Sequence, residues 1–228
     1  MKKVDIIVIL IVCIVLAPFF IFKSFFEVYE CFNVAHPYIM AAVKFGILAT
    51  FGEMLANRIK NGQYLQRTFG LVPKMVVWAL LGVWIAFAMK VFAVGVPIVV
   101  EKAGITGLSE AMKATLSWEK VLGAFCISTM MNTAFAPVFM TFHKITDIHI
   151  AHYQGSIKSL LNPIHFSEIF PALNWKVQWN FVFKKSIPFF WIPAHTITFI
   201  LPDTFQVLFA AFLSVILGLI LAAASLKK

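Results

Sequence analysis

The chain has few charged residues and few cysteines for its length. Only 13% of its 228 residues are Asp, Glu, Lys or Arg, whereas 61% are apolar. A soluble domain averages about 25% charged and about 45–50% apolar residues. Water would solvate so apolar a surface poorly, whereas lipid tails would accept it. The composition therefore excludes an ordinary soluble domain and predicts an integral membrane protein.

Motifs of soluble enzymes and of nucleotide-binding proteins are also missing. The three cysteines, Cys13, Cys31 and Cys126, are far apart and form no C-x-x-C, which excludes a disulfide framework and a cysteine zinc site. The sequence has no Gly-x-Gly-x-x-Gly, P-loop, His-Glu-x-x-His or Gly-x-Ser-x-Gly motif. A net charge of +9 is typical of Lys and Arg in the cytoplasmic loops of a membrane protein. We therefore expect no nucleic-acid partner, no cofactor and no enzyme activity.

Six apolar runs have about the length that a membrane-spanning helix needs. The first is longer than the apolar core of a signal peptide and is followed by no A-x-A site, so we expect a retained helix. The fifth is short and contains Pro188 and Pro193. These features predict an all-α polytopic transmembrane bundle forming one domain, residues 1–228. The runs cover residues 4–22, 37–57, 75–100, 121–142, 186–201 and 207–224.

The distribution of Lys and Arg predicts the orientation of these spans, because cytoplasmic loops collect both residues. With a cytoplasmic N-terminus, thirteen lie on the inner side, four on the outer side, and Lys44 and Lys90 lie within spans. This bias predicts that both termini are cytoplasmic. The inner residues are Lys2, Lys3, Arg58, Lys60, Arg67, Lys74, Lys144, Lys158, Lys176, Lys184, Lys185, Lys227 and Lys228. The outer residues are Lys23, Lys102, Lys113 and Lys120.

The longest connection, residues 146–176, has a helical pattern of its own. Apolar residues recur at helical spacing from Ile150 to Ile164, with polar residues between them. This pattern predicts an amphipathic helix lying on the inner membrane surface. The alternative is an ordered loop that caps the bundle.

Small residues mark the faces along which helices in lipid approach closely. They recur every fourth residue in the sixth span, at Ala210, Ser214, Gly218 and Ala222. The second and third spans have similar stripes around Gly46 and Gly82. We expect these stripes to pack inside one subunit, and the alternative for the sixth span is a homo-oligomer interface.

Polar residues inside the spans are costly in lipid and therefore indicate a protected or hydrated interior. Some lie near mid-membrane beside Pro137 and Pro193, and two lysines lie nearer the outer side. The ordinary alternatives are hydrogen bonds within or between helices and lysines that extend to the surface. Two unpaired lysines in a passage would favour anionic solutes. The candidate lining residues are Asn132, Thr133, His195, Thr198, Lys44 and Lys90.

A group of titratable residues follows the fourth span. His143 and Asp147 are four residues apart, a spacing that could bind a metal ion, and His149 and His152 follow. A surface salt bridge between Lys144 and Asp147 is the simpler interpretation. These four residues, His143, Asp147, His149 and His152, are therefore only weak metal candidates.

Two segments resemble the Mpv/PMP family of small peroxisomal and inner-mitochondrial membrane proteins. One runs from Asn132 through Ala136-Pro137 to Gly155, and the other is Trp191-Ile-Pro-Ala-His-Thr-Ile-Thr-Phe-Ile-Leu-Pro202. The similarity covers about residues 35–226. Asn132 and His195 stand where the family has Gln, Thr198 where it has Asn, and Gln206 where it has Arg.

The resemblance implies a channel-like role in a bacterial branch of the family, and hence a location in the bacterial plasma membrane. The resemblance does not identify the solute, because this sequence has different residues at the family positions described above. Our leading hypothesis is a small-solute channel or transporter in the lipid bilayer. The alternatives are a membrane scaffold or regulator acting through helix contacts and, third, a membrane-embedded enzyme using His143, Asp147 or His195.

Overall fold

The computed structural model describes residues 2–225, without the side chains of residues 221 and 223–225. Lys227 and Lys228 of the predicted inner group lie outside this range. The described chain is all-helical, without strands, which confirms the all-α part of the predicted fold class. The α-helices are α1 (Lys3–Ile21), α2 (Lys23–Ala35), α3 (Pro37–Asn61), α4 (Leu71–Lys102), α5 (Leu108–Ala111), α6 (Trp118–Ala134), α7 (Ala136–His152), α8 (Lys158–Leu161), α9 (Phe166–Ile169), α10 (Trp175–Val177), α11 (Ile192–Ile200) and α12 (Asp203–Ser225). A π-helix, Gln178–Trp191, lies between α10 and α11.

Four of these helices, α1, α3, α4 and α12, are long and apolar enough to cross a membrane by themselves. They correspond to the first, second, third and last predicted runs. The fourth run forms α6 and α7, which together would make a fifth span bent by 47°. The bend lies beside Pro137, which has no N–H to donate to the carbonyl of Thr133. The described chain therefore has four candidate membrane-spanning helices, or five with the bent pair, where six were predicted.

The fifth predicted run, residues 186–201, is not a single straight α-helix. Its first part belongs to the π-helix and its second part to α11, where Pro193 occupies the first turn. A backbone bond from the N–H of Ile192 to the carbonyl of Ile187 spans five residues. Pro188 and Pro193 cannot donate backbone hydrogen bonds, so the regular α-helical pairing is interrupted here. Long π-helices are rare, and short ones are frequent at functional sites.

The amphipathic helix predicted within residues 146–176 is not formed. Helix α7 ends at His152, and the chain then continues through turns and the short helices α8, α9 and α10. Gly155 stops α7 with a φ of +72°, and Pro163 and Pro171 break the rest. A Cβ on Gly155 would lie 2.6 Å from the backbone nitrogen of Gly70, so this segment packs closely on the start of α4. The alternative prediction, an ordered loop that caps the bundle, describes this segment better.

Glycines bring α3 into close contact with α4 on one side and with α12 on the other. A Cβ on Gly82 would lie 2.8 Å from the carbonyl oxygen of Ala41, and one on Gly218 would lie 3.1 Å from that of Gly52. The stripe on α12 therefore packs against α3 within one chain, as the first interpretation predicted. A homo-oligomer would need a different face of α12.

Helix α1 has no buried residue; Phe19 near its end contacts Phe25 of α2, and its first turn is joined to α3 by an ion pair. The guanidinium of Arg58 donates from Nε and Nη2 to the two carboxylate oxygens of Asp5, at 2.7 and 2.8 Å. The hydroxyl of Tyr64 donates to the same carboxylate at 3.1 Å. A bidentate pair of this kind is geometrically specific. It fixes the start of α1 beside the end of α3.

The α3–α12 contact predicts that Gly52→Ala destabilises the protein. The new Cβ would lie 2.8 Å from the Cα of Val215, a backbone atom that can move only if the helices separate. We expect the free energy of unfolding to fall by about 1–3 kcal/mol, as for other overpacked cores. Thermal unfolding of the purified protein in detergent measures this change.

Gly95→Ala is the matched control, because nothing lies within 4 Å of the added Cβ. We expect its melting temperature to equal or exceed that of the parent, since Ala favours the helix. Equal melting temperatures for the two variants would contradict the close packing of α3 on α12.

Candidate functional site

A partly open cavity of about 360 Å³, which we call the interior cavity, lies among the helices of the bundle. Its walls come from α3, α4, α6, α7, the π-helix, α11 and α12, and most of them are apolar. Polar side chains line two regions of the cavity. One contains Glu53, His143 and Asp147, and the other contains Asn132 and His195.

The first polar region is an ion-pair cluster centred on Lys74, near the α3–α4 end of the bundle. The ammonium of Lys74 donates to the carboxylate of Glu53 on α3 at 2.5 Å and to the carboxylate of Asp147 on α7. Only 12% of the Lys74 side chain is exposed, so water screens these contacts weakly. One lysine on α4 thereby joins three helices. We call Glu53, Lys74, His143 and Asp147 the charged cluster.

Two rings complete the contacts of Glu53. The indole N–H of Trp78 donates to Glu53 Oε1 at 2.7 Å, and His143 Nε2 lies 3.2 Å from the same oxygen. The rings of Trp78 and His143 also contact each other, with centroids 4.4 Å apart. The carboxylate of Glu53, whose side chain is 24% exposed, therefore has a hydrogen-bond donor or a cation at each of its two oxygens, as its partial burial requires.

The second polar region joins α6 to α11. Asn132 Nδ2 donates to the carbonyl of Ser128 at 2.8 Å and lies 3.0 Å from His195 Nδ1. The hydroxyl of Ser128 donates to the carbonyl of Ile192 at 2.7 Å. The ring of Trp191 stacks on the ring of His195, with centroids 5.2 Å apart. Asn132 and His195 were both predicted as lining residues, and the structure places both of them on the cavity wall.

Thr198 and Thr133 lie apart from that cavity. The side chain of Thr198 on α11 is fully buried, and its hydroxyl donates to the carbonyl of Ala194 on the same helix at 3.0 Å. Thr133 is exposed, and its hydroxyl donates to the carbonyl of Thr129 at 2.7 Å. Both follow the ordinary alternative, in which a threonine hydroxyl bonds to its own helix.

Lys44 does not share the cavity with His195. Its side chain is buried, and Nζ donates to Asn33 Oδ1 of α2 at 2.5 Å. The ammonium also lies 5.5 Å from the centroid of the Tyr29 ring, within the range of a cation–π contact. Lys44 thus fastens α2 to α3.

Lys90 lies on the other side of the bundle, near the turn between α11 and α12. Its ammonium is 3.6 Å from the carboxylate of Asp203, and both side chains are largely exposed. Together they line an open cavity of about 700 Å³ that also contains Lys113, Lys120 and Phe199. We call this the outer cavity. Because Lys44 and Lys90 do not meet, an argument for anionic solutes based on these two lysines loses its geometric basis.

The metal candidates separate into two places. His143 and Asp147 join Glu53, and one ligand atom of each lies within 4.8 Å of the others. Lys74, however, already contacts both carboxylates, so a metal ion would have to displace its ammonium. The remaining two histidines are elsewhere. His149 Nε2 lies 2.9 Å from the carbonyl of Ser159, and His152 contacts the ring of Tyr153.

Sequence reasoning missed the partners that complete these sites. Lys74 was assigned to the inner loop, and Trp78 and Gln178 were not singled out. One signal was present, since Glu53 is the only acid in residues 37–57 and a buried carboxylate requires a cation nearby. Nothing in the spacing indicates which lysine supplies that cation, because Lys74 is 21 residues away.

Comparison of the chain with profiles of known protein families, with curated proteins and with solved structures finds no match in any of the three.

The charged cluster predicts that Lys74→Met strongly destabilises the protein. The variant leaves the carboxylates of Glu53 and Asp147 close together without their shared cation. Removal of one partner from a buried ion pair costs about 3–5 kcal/mol. We therefore expect a large fall in the melting temperature in detergent.

Lys144→Met is the matched control for the loss of a lysine. Its side chain is 56% exposed, and its ammonium is 3.8 Å from Asp147. An exposed pair of this kind contributes about 0–1 kcal/mol. If both variants melted at the same temperature, Lys74 would not hold the three helices together.

Proposed function

We propose that the protein is a small-solute channel or transporter and that the structure corresponds to a closed form. One observation carries the proposal, namely that two cavities adjoin the same short helix. His195 lines the interior cavity, and Phe199 lines the outer cavity. The two residues are four apart on α11, which corresponds to about 6 Å along a helix axis.

Phe199 is the best candidate for the barrier between the cavities. It is 1% exposed and belongs to the apolar core with Met89, Ile127 and Met131. Such a plug would prevent solutes from moving between the cavities. The charged cluster would restrict the other end of the interior cavity, because it joins α3, α4 and α7.

A membrane enzyme receives less support from the same geometry. A general base needs a carboxylate or imidazole that is available to a substrate. Glu53 is already engaged by Trp78 and Lys74. A passage requires no reacting group, so it fits an interior whose charges are internally paired.

The proposal includes six membrane crossings with both termini in the cytoplasm. The sixth crossing would be the π-helix and α11, which together form 23 consecutive helical residues, 178–200. With this segment the five candidate spans become six, and an even number of crossings places both termini on the same side of the membrane. The excess of Lys and Arg on the inner side supports the same orientation, and the bacterial plasma membrane is the proposed location.

The resemblance to the Mpv/PMP family supports a channel-like role as a proposal. Two of its positions, Asn132 and His195, lie on the wall of the interior cavity. They are in contact across α6 and α11, so the two similar segments meet in space.

The six-span topology predicts that reporters fused to the two ends give the same result. Alkaline phosphatase should be inactive, and green fluorescent protein should be fluorescent, at both the N-terminus and the C-terminus. A fusion after Lys102, at the end of α4, provides the opposite control and should have active phosphatase. Opposite results at the two termini would contradict the sixth crossing.

The barrier predicts that Phe199→Ala increases solute flux. In liposomes, the release of radiolabelled xylitol should rise several-fold above that of the parent protein, because the smaller side chain opens the core between the cavities. Phe199→Leu should give a smaller increase and less loss of stability than the alanine variant, whose cost is about 3–5 kcal/mol.

Phe189→Ala is the matched control, since Phe189 lies on the π-helix with 80% of its surface exposed. It should leave the flux unchanged. If folded Phe199 variants and the parent released no more xylitol than empty liposomes, the channel proposal would be wrong. A partner that co-purifies with such an inactive protein would favour the scaffold alternative.

A further inference from the structure

Two hydrogen-bond donors on the wall of the interior cavity have no partner within residues 2–225. They are Nε2 of Gln178 and Nε1 of Trp191, at the two ends of the π-helix. Gln178 is 7% exposed. A buried polar group without a partner costs about 1–3 kcal/mol. Their position on a cavity wall suggests that a bound molecule supplies the missing acceptors.

His195 adds a third donor beside Trp191 in one of its two neutral tautomers. The carbonyl of Ser128 can only accept, so the atom of Asn132 that approaches it at 2.8 Å is the amide nitrogen. His195 Nδ1 lies 3.0 Å from that nitrogen and 3.2 Å from Asn132 Oδ1, so Asn132 can pair with either neutral tautomer of the imidazole. In the tautomer whose Nδ1 accepts, Nε2 carries the hydrogen. In that tautomer the stacked rings of Trp191 and His195 each offer an N–H, and an acceptor bound in the cavity favours it.

The carboxylates of the cavity wall, in contrast, are already engaged. Glu53 accepts from Trp78 and Lys74, and Asp147 accepts from Lys74. The charges also balance, because Lys74 and Lys144 offset the carboxylates of Glu53 and Asp147. A cation entering the cavity would find no free carboxylate, whereas an acceptor would find free N–H groups.

We infer that the interior cavity binds a small carboxylate. Its two oxygens would accept hydrogen bonds at the Trp191–His195 end, and Gln178 provides a second acceptor-binding position toward the charged cluster. This inference rests on the proposed function and specifies its solute class. It depends on residues of the π-helix and α11, and not on Lys44 or Lys90.

Liposome flux with three radiolabelled probes tests the solute class. Pyruvate has only acceptor oxygens, tetramethylammonium is a cation of similar size without donors, and xylitol is uncharged. The variant Phe199→Leu provides a measurable flux. In this background we expect pyruvate release to exceed tetramethylammonium release by at least about tenfold, since two hydrogen bonds at the Trp191–His195 end favour the carboxylate.

Removal of the donors should reduce that preference. Trp191→Phe keeps a ring against His195 but removes the N–H, and Gln178→Met keeps the length of the side chain. Each change should lower pyruvate release by about threefold to tenfold and should lower xylitol release less, because hydrogen bonds to a charged acceptor are the stronger ones. The matched controls are Trp118→Phe, at a residue with 74% of its surface exposed, and Gln66→Met in the exposed α3–α4 loop, and neither should change either flux.

The outcomes separate the two proposals. If xylitol passes but pyruvate shows no preference, or if both donor variants keep the parent preference, the carboxylate inference is wrong and the passage stands. If no probe passes in any folded variant, the passage itself is wrong. In that case, two measurements with pyruvate would still support a carboxylate site. They are weaker quenching of Trp191 fluorescence by an added quencher and a rise in the melting temperature. The absence of both effects would overturn the site.

Discussion

The ion pairs made by Lys74 are the interaction on which the arrangement of the other helices depends. Burial of an ammonium is costly unless carboxylates surround it, and here they come from two other helices. The pairing therefore fixes how α3, α4 and α7 meet at the α3–α4 end. Trp78 and His143 complete the surroundings of Glu53, so a shift of one helix would leave several polar groups without partners. The interior cavity adjoins this cluster, since Glu53, His143 and Asp147 line it.

Close helix contacts and the cavity have a common origin. Lipid offers no hydrophobic driving force between helices, so they associate where small residues allow backbones to approach. Gly52, Gly82 and Gly218 provide that approach for α3, α4 and α12. Helices α6, α7 and α11 form a less regular group, because α6 and α7 are bent beside Pro137 and α11 has Pro193 in its first turn. The cavity lies between the tightly packed group and this irregular group.

Composition and periodicity predicted the all-helical class and the helices α1, α3, α4 and α12, because twenty apolar residues have few alternatives in lipid. They also predicted that Asn132 and His195 face the interior, since both are costly to expose to lipid. Composition and periodicity could not predict two features. The π-helix depends on how the chain responds to Pro188 and Pro193, and the charged cluster depends on pairing over long sequence separations. Lys44 shows the same limit, because its partner Asn33 lies on α2, which is outside all six predicted runs.

The π-helix connects these local irregularities to the proposed carboxylate site. An α-helix through residues 178–191 would distribute its side chains differently around the axis, since its period is 3.6 residues. In the observed helix, Gln178 and Trp191 both reach the cavity wall, at either end of the π-helical segment. Their unpartnered N–H groups lower the stability of the empty protein. The same unpartnered groups make a passage selective, because a solute whose oxygens accept these hydrogen bonds binds more strongly than a solute without acceptors.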